Sequence, residues 1–147
     1  MTWENEPASP DVLASTEQSA IATHFDVANW KTIADEPGYL RVEVPLHPWL
    51  RNPRGQLFGG FTPSYADILA SRVARSRDDT IDDRSIWYAT TGMRVDYLEP
   101  IVDDRFQIEC QLVSARGKSV LTETKYYQGD VIAAFAVTTM LVLPSPR

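Results

Sequence analysis

Residues 52–67 read NPRGQLFGGFTPSYAD, and what this stretch becomes governs the rest of the chain. Thr62-Pro63 is a helix start signal: threonine is a favoured N-cap, and proline at the first helical position gives up only an N–H that has no partner there. The predicted helix runs from Pro63 to about Arg77. Ala66, Ala70 and Ala74 stand four apart in it as a small-residue stripe, flanked by Tyr65, Ile68, Leu69 and Val73. Such a stripe lets a helix lie close against a sheet. Upstream, the loop from Pro45 to Gly60 holds three prolines and three glycines and delivers the chain to the helix.

The remaining segments supply strands. Tyr39–Val44 alternates after the turn residues Glu36-Pro37-Gly38 and stops at Pro45. Beyond the helix, Ser85–Leu98, Asp104–Ala115, Ser119–Gln128 and Val131–Leu143 are β-rich runs divided by Glu99-Pro100, Arg116-Gly117-Lys118 and Gly129-Asp130. Short turns between successive strands predict an antiparallel meander. The nearly all-apolar run Ile132–Val137 predicts a central strand covered on both faces. Asp11–Trp30 is compatible with one helix or two short ones. Residues 1–10, polar with two prolines, predict a flexible N-terminus ahead of a single domain over 11–147. The expected architecture is α+β, one long helix on a curved antiparallel sheet of about five strands.

Composition narrows the function classes. With 14 Lys+Arg against 20 Asp+Glu, the net charge of −6 argues against broad attraction to nucleic acid or an anionic membrane. The single cysteine, Cys110, excludes an intramolecular disulfide and a multi-thiolate metal site, and its alternation with Phe106, Ile108 and Leu112 reads as a small buried side chain. His24 and His47, the only histidines, lie in neither a GxSxG nor an HExxH pattern, so no triad, metal or cofactor is expected. No apolar run approaches a membrane span. The N-terminus lacks the basic start and hydrophobic stretch of a signal peptide, which makes the cytoplasm the expected location.

Several residues can support chemistry, each with a plainer reading beside it. Gly59 and Gly60 let a ligand carbonyl approach their backbone N–H groups at the positive end of the helix, an oxyanion-hole geometry; two glycines also simply make a turn. Asp67, between apolar neighbours on the helix, is a base or a nucleophile if water reaches it, and otherwise a carboxylate on a wet face near the helix N-terminus. Asn52 orients water or a carbonyl, or stabilises its own turn. Thr90 and Thr91 are ordinary strand formers whose hydroxyls could bond an incoming water. Arg116, Gly117, Lys118 and Ser119 set two cations at a turn, suited to the phosphates of a nucleotide tail, with Arg84 and Arg94 as further cations.

In this order the elements resemble the hotdog-fold acyl-CoA thioesterases of the PaaI type. That family carries Asn, five residues, His-Gly-Gly, and an Asp nine residues beyond the His; here Asn52, Phe58-Gly59-Gly60 and Asp67 keep the spacing. Met93–Pro100 is similar to its Tyr-Leu-x-Pro strand, and Arg116–Ser119 to its Gly-Lys/Arg-Ser/Thr turn. The resemblance implies a helix wrapped by five to six strands, and hydrolysis of an acyl-CoA. It makes Asp67 the base or nucleophile, Gly59 N–H the oxyanion donor and Asn52 a positioner, with Thr90, or Thr91 if the alignment slips by one, supplied by a partner subunit. It also implies a homodimer or a homotetramer built as a dimer of dimers, with sites at the subunit interface. Phe58 departs from the pattern: a phenyl ring cannot donate a hydrogen bond to a thioester carbonyl. That departure leaves open a weakly catalytic acyl-CoA binder in which Phe58 and Gly60 shape an apolar pocket. A hydratase is disfavoured, because no histidine lies near Asp67 in sequence.

Overall fold

The computed structural model describes residues 20–77 and 85–145. In chain order these form a short helix α1 (Ala20–His24), strands β1 (Lys31–Glu36) and β2 (Tyr39–Pro45), the long helix α2 (Thr62–Arg77), and strands β3 (Ile86–Tyr97), β4 (Arg105–Arg116), β5 (Ser119–Gln128) and β6 (Val131–Pro144). The alanine stripe does what its spacing predicts. Ala66, Ala70 and Ala74 are buried together with Tyr65, Leu69 and Val73, and α2 lies across β2 to β6. All strand pairs are antiparallel, in the order β1-β2-β4-β5-β6-β3. A long helix wrapped by a six-stranded antiparallel sheet is the hotdog fold, in the α+β class.

Two expectations are corrected. The meander holds for β4, β5 and β6, but β3 pairs with β6 and not with β4. Glu99-Pro100 does not turn the chain back; the N–H groups of Leu98 and Glu99 both donate to Ala133 O on β6, and the chain then crosses to the other side of the sheet. Strand β6 is therefore paired on both sides but lies next to the edge, and Leu141 and Leu143 on its outer face are exposed. The β1 strand was not foreseen at all. Residues 1–19, where the flexible N-terminus and the start of the first helix were expected, lie outside the described residues.

The hairpin turns explain their own residue order. Gly117 (φ +57°) and Gly129 (φ +60°) each occupy the first of two turn positions, where tight hairpins require a positive φ, so Gly-Asp is the order that the second turn needs. In β3 the register passes from Thr90↔Met140 to Gly92↔Thr139, which leaves Thr91 as the extra residue of a bulge. Beyond it, Met93 and Val95 pack on the core.

The segment after α1 is strapped down by side chains. Phe25 is buried edge-on against Tyr65, and Trp30 Nε1–H and Trp49 Nε1–H donate to the carbonyls of Phe25 (2.9 Å) and His24 (2.8 Å). His47 Nε2 is hydrogen-bonded to Asp26 Oδ2 at 2.8 Å, and Asn29 Nδ2 donates to the same carboxylate. The His47 contact, joined by that of Asn29 against a smaller cost of burial, holds the Asp26 carboxyl below its ordinary 3.8. A carboxyl depressed in the folded state stabilises above its unfolded value, and that contribution drains away as the pH falls through the folded one. Asp26→Asn is therefore expected to lower the melting temperature at neutral pH, with the difference from wild type vanishing in acid well below 3.8. A difference that persists unchanged in acid would show that the strap is held some other way.

Candidate active site

The loop ahead of α2 is fixed by one guanidinium. Arg51 donates to the carbonyls of Gly55 (2.6 Å), Val102 (2.8 Å) and Leu46 (3.2 Å) and to Asp104 Oδ1 (3.1 Å), tying both ends of the loop to the β3–β4 crossing. Within it, Asn52 Oδ1 accepts from the N–H groups of Arg54 (2.9 Å) and Gln56 (3.1 Å). That is the turn-stabilising role of asparagine. Its oxygen is spent on the loop and its Nδ2 donates to Gln56 Oε1 (3.4 Å), which leaves the second Nδ2–H as the donor that can meet a ligand.

The glycine turn is held more tightly still. Leu57 N–H donates to Ile101 O (2.8 Å) and Phe58 N–H to Leu50 O (2.9 Å) as the chain enters it. Phe58 C=O then accepts from Phe61 N–H (2.9 Å), and Gly59 C=O accepts from the Tyr97 hydroxyl (2.5 Å). Both peptide planes of the turn are thus anchored by their carbonyls, while among the described residues no acceptor meets the N–H of Gly59 or of Gly60. Two unsatisfied donors beside a helix N-terminus form a ready anion site. Gly59 opens onto a cavity of about 370 Å³ that Asn52, Thr62, Tyr97, Ile101 and Ala133 also line. A Cβ on Gly60 would lie 2.5 Å from Phe58 Cε1, so the Phe58 ring lies over Gly60 and has to swing outward to admit a larger residue there. That ring is 49% exposed and meets Phe61 edge-on at 5.1 Å.

Asp67 lies on the exposed face of α2, and the hydroxyl of Thr90 donates to its Oδ1. Of the two candidate threonines it is Thr90 that reaches the carboxylate, and it does so from the same chain, where the resemblance implied a partner's residue. Thr91, at the bulge, donates instead to Thr139 O (3.2 Å). The carboxylate and the glycine turn do not meet within one chain. Their partners Thr90 and Tyr97 are seven residues apart on β3 (97 − 90), six regular strand positions once the bulge residue is discounted, on the order of 20 Å at ~3.3 Å per residue. Reacting groups must come within about 3–3.5 Å.

Gly117 and Lys118 line a second cavity of about 380 Å³ with Arg77, Ser85, Ile86 and Val142. It gathers cations at the C-terminal end of α2, a 16-residue helix about 24 Å long, so the Arg116–Ser119 turn stands at the opposite end from Gly59. Arg94 is taken up by Asp96 (2.9 Å), and Arg84 lies outside the described residues. Cys110 is buried, and burial pushes its thiol up to about 11, which makes it inert as a nucleophile. Among the described residues no group of His, Cys, Asp and Glu could hold a metal ion, and no helix is long and apolar enough to cross a membrane.

Two residues important to this geometry were not singled out by sequence. Arg51 sits beside Asn52 with nothing in the pattern to mark it. Tyr97 had a signal, its place in the Tyr-Leu-x-Pro strand, but not a role.

Comparison with known proteins agrees with this architecture. The family model of the thioesterase superfamily matches residues 54–133. No curated protein matches the chain. Among solved structures, a conserved protein of Pseudomonas aeruginosa is 22% identical, with a TM-score of 0.72 over 85% of this chain and 94% of that one. A Streptococcus mutans protein solved with acetyl CoA is 19% identical (TM-score 0.68, 81% and 92% covered). A variant of the phenylacetic acid degradation protein PaaI of Thermus thermophilus is 17% identical (TM-score 0.68, 81% and 97% covered).

Proposed function

The chain belongs to the thioesterase superfamily, and from that premise we propose that it hydrolyses an acyl-CoA thioester to the free acid and CoA in the cytoplasm. The observation that carries the reading is the glycine turn, with both carbonyls held and neither N–H group met by an acceptor among the described residues. A thioester carbonyl placed there finds Gly59 N–H and the positive end of α2 where its negative charge develops. Asp67, reachable by solvent, deprotonates the attacking water or attacks the acyl carbon itself, with Thr90 orienting it. Asn52 Nδ2 positions the thioester, CoA leaves as its thiolate, and the cations of Arg116–Ser119 receive its phosphates. Release of free thiol over a panel of short, long and aromatic acyl-CoAs tests the reading; no release from any of them would end it.

The reading requires two copies of the chain. Strand β3 is an edge of the described sheet, and antiparallel pairing of two β3 edges sets Thr90 and Asp67 of one copy beside Tyr97 and Gly59 of the other. With Thr91 discounted as the extra residue of the bulge, the two-fold axis then passes at Arg94, three strand positions from Thr90 and three from Tyr97. Trp87, Leu141 and Leu143, exposed on the outer face at this end, support pairing of two such dimers into a tetramer.

One observation favours a second reading, an acyl-CoA binder of low turnover: Phe58 puts a half-exposed ring where a donor would serve the carbonyl. Since one oxyanion donor is worth about 10²–10³ in rate, Phe58→His is expected to raise kcat by about tenfold or more. Equal or lower turnover in that variant would mean that the site works without a donor at this position. Tight binding of acyl-CoAs by the wild type without hydrolysis would favour the binder.

A further inference from the structure

We propose that Tyr97 is a positioning residue that turns the Gly59–Gly60 peptide into a second oxyanion donor, Gly60 N–H; the proposal rests on the hydrolytic reading above. In a trans peptide the carbonyl and the following N–H point in opposite directions. The Tyr97 hydroxyl holds Gly59 C=O at 2.5 Å, and its Cε1 would lie 3.5 Å from a Cβ on Gly59, so that peptide is fixed on its carbonyl side. The N–H of Gly60 is thereby aimed away from Tyr97 and has no acceptor among the described residues. A hydrogen bond accepted by a carbonyl also polarises its own amide and makes that N–H a stronger donor. The preceding peptide is arranged likewise, with Phe61 N–H on Phe58 C=O and no acceptor on Gly59 N–H among the described residues. The turn thus presents two consecutive donors, one held by the backbone and the other by a side chain from β3. With a phenyl ring at residue 58, the second donor takes on the charge stabilisation that no side chain there supplies.

The test is Tyr97→Phe in the full chain, which keeps the ring on Gly59 and removes only the hydroxyl. With a series of acyl-CoAs, kcat is expected to fall about tenfold while KM stays within about twofold, because the lost interaction matters only once charge forms on the carbonyl oxygen. The melting temperature should hold close to that of wild type. A second measurement does not depend on turnover. The chain has only seven glycines, so [¹⁵N]glycine labelling gives a spectrum in which Gly60→Ala identifies the Gly60 amide. Tyr97→Phe should move that signal and leave those of the hairpin residues Gly117 and Gly129 in place. Undiminished kcat, or kcat and melting temperature falling together, overturns the positioning role. Absence of turnover in the wild type defeats the hydrolytic reading instead, and a Gly60 signal unmoved by the variant then overturns the clamp as well.

Discussion

Asp67→Asn should remove thiol release from acyl-CoAs, by about 10²–10⁴ in kcat, and leave the fold intact. The carboxylate is exposed, and its one hydrogen-bond partner among the described residues is the Thr90 hydroxyl, which the amide oxygen of asparagine can accept equally well. No buried charge is created or orphaned, so none of the mechanisms behind large destabilisation applies, and the melting temperature should hardly shift. What the amide cannot do is take a proton from water or attack an acyl carbon. KM should change little, since in the proposed mechanism the carboxylate serves the reaction and not the holding of the CoA moiety. Steady-state kinetics with a thiol reagent, alongside thermal melting, decides the matter; a rate close to wild type removes Asp67 from the mechanism.

The second large effect is a rescue. If each site takes its carboxylate from one copy and its glycine turn from another, Asp67→Asn and a variant that lacks the Gly59 donor, Gly59→Pro, damage different halves of the same site. Each pure variant should be inactive. Unfolded together and refolded as an equal mixture, half of the dimers contain one of each. In those, one of the two sites combines the intact Asp67 with the intact Gly59, so about a quarter of wild-type activity should return. No recovery, from variants that each melt like wild type and associate normally, would place both halves of the site within a single chain.

Much of the fold was legible because it rests on local rules. Thr62-Pro63 marks the helix to within a residue, the alanine spacing names the face that the sheet covers, and the glycine turns at 117 and 129 divide the strands. What failed was non-local or atypical. Strand β1, KTIADE, is exposed over nearly its whole length and has its register broken at Ile33, so it shows neither alternation nor an apolar face. The pairing of β3 with β6 depends on where the chain goes after Glu99-Pro100, and that pair of residues has the composition of any tight turn. The site divides along the same line. Asp67 and Gly59 were candidates from residue type and spacing, Thr90 or Thr91 through the resemblance, and the bonds of Asn52 Oδ1 within its own loop follow the turn-stabilising reading of asparagine, but the hold of Tyr97 on Gly59 O is a contact across the fold.

Thr90 and Tyr97 are separated by an odd number of steps, 97 − 90, and in a regular strand they would look out from opposite sides of the sheet. The extra residue at Thr91 changes the parity, so both point toward α2, where one meets Asp67 and the other Gly59. The bulge is a phase shifter: it lets a single β-strand present on one face the residue that meets Asp67 and the residue that meets Gly59, the proton-handling and charge-stabilising ends of the proposed chemistry. Between these two positions the strand can neither lose nor gain a single residue without turning one of them to the wrong side, whereas a pair of residues gained or lost would preserve the facing and alter only the spacing.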